Sequence, residues 1–520
     1  MNAAPVLILD FGSQYTQLIA RRIRQLQVYC EILPWTTPLA ELQARAPAAL
    51  VLSGGPASVL TAGGPDVEPA LWSWEIPILA ICYGQQLMAA RLGGQVRAAE
   101  RCEYGRAQVR YAGPLGVPAD AVFAAVDAHE DLDVWMSHGD HVEVLPPDFV
   151  VLASTPQLAI AAMAHRQRPW LGLQFHPEVA HTPRGMALLE GFLFGLVGLA
   201  PSWTMAAFLE TQVAALQAAL PAPAEVICGL SGGVDSSVVA ALLGRAIGPR
   251  LHCIMVDNGL LRTGEVAQVA SLFGQALALP LHLAAAGPDF LAALSGVEDP
   301  EQKRKIIGAE FIRVFETEAR RLPAVTHLAQ GTLYPDVIES AGAGAGGALI
   351  KSHHNVGGLP ERMQLALVEP LRDLFKDEVR LLGAALGLPD ELCQRQPFPG
   401  PGLAVRIAGA VTSERLRILR QADAIVEVEM RASGLYGNIW QSFAILLPVR
   451  SVGVRGDARA YDQTICLRCV DSVDGMTADW SRLPHTLLDI MSRRILNEVR
   501  GVGRVLYDIS SKPPGTIEWE

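Results

Sequence analysis

The sequence predicts an α/β protein of several domains, because three observations agree. Short apolar runs, such as residues 6–9 and 78–81, alternate with helical patterns over about the first 195 residues, as in α/β sheets. The same alternation returns beyond an alanine-rich helical stretch near residue 210 and changes to an α+β pattern beyond residue 400. A chain of 520 residues is also long enough for about three domains.

Two breaks in the pattern predict where these domains meet. Residues 198–201 read Gly-Leu-Ala-Pro, and five of the six residues 397–402 are proline or glycine. We therefore expect a first domain over residues 1–198, a second over 204–395 and a third over 396–520.

The elements within these domains follow from local patterns. The expected strands are residues 6–9, 50–52, 78–81 and 171–175, then 226–230, 251–256 and 325–330, then 443–449 and 463–470. Residues 204–220 predict an amphipathic helix, and a charged helix is expected to begin near Ser413. Residues 341–347 are only glycine and alanine, which predicts a mobile loop.

Composition excludes several classes of protein. The chain is 50% hydrophobic and 18% charged, which favours packed cores over disorder. A formal net charge of −11 argues against a nucleic-acid or anionic-membrane partner. Eight cysteines without clustered spacing suit a reducing compartment, and the sequence shows neither a signal peptide nor an apolar run of about 20 residues. We expect a cytoplasmic protein that binds neither nucleic acid nor membrane.

Residues 231–237, SGGVDSS, form the most informative motif. They lie between an apolar strand pattern and an apolar helix start, and two glycines at such a turn let backbone N–H groups approach an anion. Ser231, Ser236 and Ser237 add hydroxyl donors, and Asp235 can hold the Mg²⁺ that accompanies a polyphosphate. The Gly-Lys-Ser/Thr ending of a Walker A loop is absent.

This motif resembles the PP-loop of ATP pyrophosphatases. The resemblance implies that ATP is cleaved between its α and β phosphates. It also implies that the whole segment binds ATP: Ser231, Gly232, Gly233, Val234, Asp235, Ser236 and Ser237.

A second group of residues indicates nucleophilic chemistry near the N-terminus. Cys82 follows the strand pattern of residues 78–81 and precedes a helix pattern, and such a strand-to-helix elbow exposes a nucleophile and favours its thiolate. His176 and Glu178 are two residues apart, so in an extended segment they lie on one face, where Glu178 could orient His176 while His176 takes the thiol proton. Residues 52–56, LSGGP, offer a glycine amide for an oxyanion hole.

These residues resemble those of the class I glutamine amidotransferases, whose glutaminase releases ammonia through a cysteine thioester. The resemblance implies that Cys82 is the nucleophile, His176 the base and Glu178 its orienting carboxylate. It also implies that the backbone amides of Gly55 and Tyr83 form the oxyanion hole.

Longer motifs extend the resemblance over essentially the whole chain. Residues 331–340, 350–360, 397–403 and 512–520 are similar, in this order, to those of the GMP synthetases. This resemblance implies a reaction in which XMP, ATP, L-glutamine and water give GMP, AMP, diphosphate and L-glutamate through an adenyl-XMP intermediate. It implies Mg²⁺ as the only cofactor, with no organic prosthetic group, and a homodimer formed by the third domain.

Further roles are carried over from the same resemblance. Val256 is expected near adenine, and Asp336 and Glu339 are expected to assist Mg²⁺ or the nucleotide. A lid over the phosphates would use Lys351, His353 and His354. The residues expected to bind XMP are Arg304, Lys512, Thr516, Ile517 and Glu518.

Other interpretations remain open at this stage. A different PP-loop amidotransferase, making NAD or asparagine, would share SGGxDS but lack the lid and tail motifs. A tRNA-modifying PP-loop enzyme is disfavoured by the acidic balance. A catalytically inactive nucleotide-binding regulator should have lost a triad or PP-loop residue, and all of them are present.

Overall fold

The computed structural model describes residues 4–126, 131–322, 324–342, 365–455, 458–472, 475 and 477–520. These residues belong to two compact units, Met1–Phe208 and Leu209–Glu520. None of the described helices has the length and apolar character that a membrane crossing requires.

The described part of the first unit is built on a mixed nine-stranded sheet. Its strands are β1 (Val6–Asp10), β2 (Cys30–Pro34), β3 (Ala49–Leu52), β4 (Ile78–Ile81), β5 (Gln95–Tyr111), β6 (Asp131–Val144), β7 (Phe149–Ser154), β8 (Ala162–His165) and β9 (Trp170–Leu173). Its α-helices are α1 (Thr16–Gln25), α2 (Leu39–Ala44), α3 (Tyr83–Arg91) and α4 (Gly185–Glu190), and a π-type segment, Gly191–Leu196, continues α4. Short 3₁₀ helices cover Pro69–Ser73 and Pro118–Phe123.

The centre of this sheet is parallel and completely buried. The strand order is β2-β1-β3-β4-β9-β8-β7-β5-β6, and the pairs from β2 to β9 are parallel. Every residue of β3, β4 and β9 is buried, which explains why these strands are continuous apolar runs without alternation. Parallel strands end at the same edge of a sheet, so the loops after β3, β4 and β9 meet there.

The described part of the second unit contains two further sheets. Its strands are β10 (Glu225–Leu230), β11 (Leu251–Asp257), β12 (Leu281–Ala285), β13 (Val325–Ala329), β14 (Ala366–Val368), β15 (Gln441–Arg455), β16 (Ala458–Asp471), β17 (Asp479–Trp480) and β18 (Val502–Tyr507). Helix α5 (Met205–Ala219) crosses the division between the units, and the helices after it are α6 (Val234–Ile247), α7 (Glu265–Val269), α8 (Gly287–Ala293), α9 (Pro300–Ala319), α10 (Tyr334–Gly342), α11 (Lys376–Ala385), α12 (Asp390–Cys393), α13 (Ser413–Ala432) and α14 (His485–Glu498). A π-type segment, Ala270–Ala276, continues α7, and 3₁₀ helices cover Gly248–Arg250 and Gly402–Arg406.

These two sheets differ in their pairing. The first has the order β12-β11-β10-β13-β14 and is parallel throughout its described strands. In the second, β15 and β17 pair antiparallel with β16, while β18 pairs parallel with it. One core cluster includes side chains from both regions, such as Ile254 and Phe315 with Leu419 and Leu467.

The predicted elements are confirmed, with three differences in detail. Strand β9 ends at Leu173, so the segment carrying His176 is a turn and not extended. The first two residues of the predicted glycine-alanine loop, 341 and 342, complete helix α10 instead, and the rest lies outside the described residues. Strand β15 continues beyond the predicted end at residue 449 to Arg455, and its partner β16 begins at Ala458, before the predicted start at residue 463, because the two strands pair antiparallel up to these residues.

Candidate functional site

Cys82 lies at the elbow that the sequence predicts. It follows β4 directly and is the N-cap of α3, and its backbone has φ 52° and ψ −104°. A residue other than glycine rarely adopts such a conformation, which costs about 1–3 kcal/mol and is concentrated at functional sites. Its amide donates to the Leu173 carbonyl at 2.7 Å, so β9 fixes the elbow, and the helix N-terminus favours a thiolate there.

His176 and Glu178 meet despite the turn between them. Nδ1 of His176 lies 2.7 Å from Oε1 of Glu178, and both side chains are buried. Burial alone would lower the pKa of His176, but the Glu178 carboxylate and the hydrogen bond with the Cys82 thiol outweigh it and raise the pKa to about 10. The Glu178 carboxylate therefore favours the imidazolium form of His176 beside the Cys82 thiol.

Neighbouring groups hold the histidine segment and the thiol in place. Thr182 Oγ1 donates to the His176 carbonyl at 2.7 Å and accepts from the Trp135 amide at 3.1 Å. The Cys82 thiol is 3.6 Å from the Ser137 carbonyl, and the Gln174 side-chain amide lies 3.7 Å from the sulfur. Strand β6 thus forms one side of the site.

The residues predicted as oxyanion donors, Gly55 and Tyr83, lie in the loop after β3 and at the start of α3. Tyr83 is the first residue of α3, so its amide has no acceptor within the helix. Gly55 follows β3, and a Cβ there would lie 2.8 Å from the Phe11 carbonyl oxygen, so only glycine fits. At Gly54 a Cβ would lie 3.2 Å from Cε1 of His176 and 3.7 Å from Cβ of Cys82. The LSGGP segment therefore keeps the space over the thiol open.

One further histidine near the triad is held neutral. His138 is buried, and burial is the main reason why its pKa falls to about 4. Its Nε2 lies 3.3 Å from a carboxylate oxygen of Glu103, whose pKa is raised by burial. Of the two histidines His138 and His176, only His176 therefore favours its cationic form.

The SGGVDSS segment forms a compact cradle between β10 and α6. The Ser236 hydroxyl lies 3.2 Å from the Ser231 amide and 3.1 Å from the Ser231 hydroxyl. Ser231 Oγ also accepts from the Gly233 amide at 3.3 Å. Gly232 has φ 74°, which favours glycine, and Gly233 is the N-cap of α6. Amides, hydroxyls and a helix N-terminus thus converge, as anion binding requires.

Asp235 carries the carboxylate of this cradle, and it has a cationic partner. Lys376, the first residue of α11, donates to both carboxylate oxygens at 2.5 Å. Gly331 lies against Asp235, because a Cβ on Gly331 would be 3.4 Å from that of Asp235. The next predicted acid, Asp336, accepts from the Leu333 amide at 2.9 Å. The sequence did not predict a role for Lys376, because it begins a charged helix pattern in which a lysine is usually exposed to solvent.

The C-terminal tail is bound by three fully buried cations. Lys303 donates to the Ile407 carbonyl at 2.7 Å and pairs with the Glu520 carboxylate. Arg406 donates two hydrogen bonds to Glu518, at 2.8 and 3.1 Å. Arg468 donates to the Thr516 carbonyl at 3.0 Å and contacts the Ile517 carbonyl at 3.4 Å. The tail is therefore a packed part of the second unit.

The residues expected to bind XMP are distributed over this tail and one helix. Arg304, on α9, donates to the Glu520 carbonyl. Lys512 donates to the Gly475 carbonyl at 2.8 Å, and the Ile517 side chain packs on a small cluster that includes Phe443. Glu518 also accepts from the Gln441 amide at 2.7 Å, so its carboxylate is occupied by protein donors here.

Three expectations concern other parts of the nucleotide region. Val256 is buried near the end of β11, within the core. Lys351, His353 and His354 lie outside the described residues, as does the side chain of Glu339. Those lid and metal roles stay predictions.

Three family models match successive parts of the chain. They are glutamine amidotransferase class-I over residues 7–196, NAD synthase over 204–299 and GMP synthase C terminal domain over 428–519. These matches follow the order that the motifs predict.

Curated relatives match over the full length. A protein named GMP synthase [glutamine-hydrolyzing] from Solidesulfovibrio magneticus is 57% identical over 517 residues, covering 99% of both chains. Proteins with the same name from Maridesulfovibrio salexigens and Carboxydothermus hydrogenoformans are each 54% identical, covering 99% and 100% of both chains. A solved structure of a glutamine amidotransferase from Thermotoga maritima is 19% identical over 38% of this chain and 100% of its own, with a TM-score of 0.29.

Proposed function

The chain belongs to the family of glutamine-hydrolysing GMP synthases, and we propose that its two sites divide the reaction between them. Its activity is glutamine-dependent synthesis of GMP from XMP with consumption of ATP. We assign glutamine hydrolysis to residues 1–198, activation of XMP to 204–395, and dimerisation with part of XMP binding to 396–520. The matched ranges of the three family models support this division.

In the glutaminase site, Cys82 attacks the side-chain amide carbon of glutamine. The thiolate forms a bond to that carbon, and the negative charge moves to the carbonyl oxygen, where the amides of Gly55 and Tyr83 stabilise it. His176 gives its proton to the departing nitrogen, so ammonia leaves and a thioester remains; water then releases glutamate. The observation that carries this assignment is the buried 2.7 Å contact between His176 and Glu178 beside Cys82 at its elbow.

In the synthetase site, the xanthine O2 atom attacks the α phosphorus of ATP. Diphosphate leaves, and the resulting adenyl-XMP carries a good leaving group at ring carbon 2. Ammonia adds to that carbon and AMP departs with the former O2 atom, giving GMP. Only neutral ammonia is nucleophilic, so its release within the same protein favours transfer over protonation in bulk water.

The ATP phosphates are assigned to the cradle of residues 231–237, with Val256 near adenine. Hydroxyls, amides and the start of α6 support the assignment. Asp235 fits a magnesium ion because a carboxylate oxygen is the ligand type that this ion prefers. Its partner Lys376 would then turn to a phosphate oxygen. Bound Mg²⁺ would neutralise charge on the diphosphate, and Asp336 and Glu339 are assigned to assist it or the nucleotide.

XMP is assigned to Arg304, Lys512, Thr516, Ile517 and Glu518. The two cations suit its phosphate, and the Glu518 carboxylate suits ring or ribose donors. Because Arg406 and Gln441 already bind Glu518, we propose that these contacts orient the carboxylate toward the nucleotide. Lys351, His353 and His354 are assigned to close over the phosphates.

A homodimer is assigned to the third domain. Apolar side chains on the β15–β16 hairpin support it: Val454 is 76% exposed and Tyr461 65% exposed, and Tyr461 faces Val452 across the pair. Such a cluster of exposed apolar residues is typical of an interface. We place the enzyme in the cytoplasm, because none of the eight cysteines, all of them among the described residues, forms a disulfide.

A product assay tests the proposed function. The purified protein is incubated with XMP, ATP, Mg²⁺ and glutamine, and the nucleotides are separated. The proposal predicts GMP together with equal amounts of AMP and diphosphate. Formation of ADP and orthophosphate would contradict it.

A further inference from the structure

The carbonyl group of Gly232 points away from the phosphate cradle to a buried ion pair. Arg395 Nη1 donates to this carbonyl at 2.8 Å, and Nη2 of the same guanidinium lies 2.7 Å from Oε1 of Glu265. Arg395 is mostly buried, and Glu265 is only 2% exposed. No motif of the sequence analysis includes either residue.

This contact decides the direction of the neighbouring amide. The Gly232 carbonyl and the Gly233 N–H belong to one trans peptide, so they point in opposite directions. The Gly233 N–H faces into the cradle, where it donates to Ser231 at 3.3 Å. A peptide flip, which the glycine at φ 74° would permit, would turn a carbonyl oxygen toward the anion.

Glu265 is in turn fixed by the chain around it. Its Oε2 accepts from the Arg262 amide at 3.0 Å, and the Arg262 guanidinium lies 3.2 Å from Asp423 on α13. A Cβ on Gly232 would lie 2.9 Å from Glu265 Oε1, so glycine is needed for this close approach. The pair therefore holds the loop from the side opposite the phosphates.

We propose that Arg395 and Glu265 are positioning residues for the phosphate loop: the guanidinium locks the Gly232 peptide so that the Gly233 N–H faces the diphosphate of ATP. This inference rests on the proposed assignment of residues 231–237 to ATP. The proposed role is not direct attraction between Arg395 and the diphosphate, because the guanidinium donates to the Gly232 carbonyl and the Glu265 carboxylate instead.

Two variants separate positioning from charge. Arg395→Met cannot donate to the carbonyl, and Glu265→Gln keeps its shape but removes a negative charge near the anion. If charge alone mattered, Glu265→Gln would strengthen diphosphate binding; positioning predicts weaker binding for both variants. We expect losses of about ten- to hundredfold for Arg395→Met, the range of a charge-assisted hydrogen bond. The diphosphate affinity of Arg395→Lys should lie between those of the wild type and Arg395→Met, because lysine keeps the charge but lacks the paired N–H donors of the guanidinium.

The measurement is calorimetric binding of inorganic diphosphate, with Mg²⁺, to the full chain. Thermal unfolding checks each variant, and Arg321→Met, which removes an exposed arginine, is the matched control. Weaker binding by both Arg395→Met and Glu265→Gln supports the inference.

Unchanged binding by Arg395→Met, or tighter binding by Glu265→Gln, overturns it. Ser236→Ala distinguishes this failure from failure of the proposed function. If Ser236→Ala also binds diphosphate normally, the ATP assignment of the loop is wrong. If Ser236→Ala alone loses binding, the loop assignment stands and only the positioning role is lost.

Discussion

His176 and Glu178 are joined by a 2.7 Å contact between Nδ1 and Oε1, although the chain turns at the proline between them. The turn is held by Thr182, which bonds the His176 carbonyl, and by Arg22, whose Nε donates to the Glu178 carbonyl at 3.0 Å. The carboxylate is completely buried, so its charge acts on the imidazole with little screening by water. This pair sets the basicity of the imidazole beside Cys82.

Replacing Glu178 with glutamine should slow alkylation of Cys82. The carboxylate favours the imidazolium, so its loss lowers the pKa of His176 from about 10 and makes the imidazole a weaker acceptor for the thiol proton. We expect the rate with iodoacetamide to fall about tenfold or more. Alkylation is followed by mass spectrometry of the Cys82 peptide, with exposed Glu190→Gln as control. An unchanged rate would remove Glu178 from this role.

Gly54→Ala should impair the use of glutamine but not of ammonia. The added Cβ would lie 3.2 Å from Cε1 of His176, displacing the imidazole from the thiol. Since a misplacement of about 1 Å can cost about a hundredfold in rate, this smaller shift of the imidazole should cost less than that. GMP formation is measured with each nitrogen source. Gly308→Ala, where the Cβ meets open space, is the control. Equal loss with both sources would contradict the assignment of Gly54 to the glutaminase site.

Lys376→Met should raise the KM for ATP with either nitrogen source. The variant leaves Asp235 without its cation and removes a donor that we assign to a phosphate oxygen. A rise of about tenfold is expected from one charge-assisted hydrogen bond. Initial rates are compared with those of Arg320→Met, an exposed control in the same unit. A KM change confined to XMP would show that Lys376 serves the other nucleotide.

Glu518→Gln should raise the KM for XMP more than that for ATP. It also leaves the fully buried Arg406 without its main carboxylate, so we expect a loss of about 3–5 kcal/mol in the unfolding free energy of the second unit. Truncation of the tail is a poorer test, because it also removes Glu520 from buried Lys303. Trp519→Phe, which loses one bond to Asp508, is the control. An XMP dependence equal to that of the control would exclude Glu518 from XMP binding.

His138→Asn should reduce the acid sensitivity of the first unit. The folded pKa of His138 is about 4 and its ordinary value 6.5, so between these pH values the unfolded chain binds the extra proton. Stability therefore falls as the pH falls through this window, by about 1–3 kcal/mol from this group. Glu103, whose pKa is raised by burial, acts in the opposite direction at the acid end.

Urea unfolding at pH 7 and pH 5, followed by tryptophan fluorescence, measures the effect. The exposed His485→Asn serves as control. The loss of stability between the two pH values should be smaller in His138→Asn than in the wild type. An identical loss in both would show that His138 does not contribute.

The order of elements, the cysteine elbow and the phosphate cradle could all be predicted because each depends on local sequence. Cys82 and residues 231–237 lie at strand-to-helix turns that apolar patterns on both sides define. The spacing of His176 and Glu178 correctly predicted that their side chains meet, but the backbone between them is a turn and not extended. Two residues that are close in sequence must lie close in space, but their spacing alone does not determine the backbone conformation between them.

Residues that act through distant contacts were missed. Lys376 is 141 positions from Asp235, and Arg395 is 163 from Gly232, so no local pattern joins them. Arg406 and Arg468 did leave a usable signal, because each is a lone cation inside an apolar run, GLAVRI and CLRCV. Such a cation in a strand or helix core predicts a buried partner. Its identity, Glu518 for Arg406, required the structure.

The most direct test of the two-site account is GMP formation by Cys82→Ala with two nitrogen sources. The variant is supplied with XMP, ATP and Mg²⁺ and either glutamine or ammonium at pH 8.5. The account predicts that synthesis from glutamine is abolished while synthesis from ammonium continues at the wild-type rate. Equal loss of both activities, or glutamine-dependent synthesis at the wild-type rate, would contradict it.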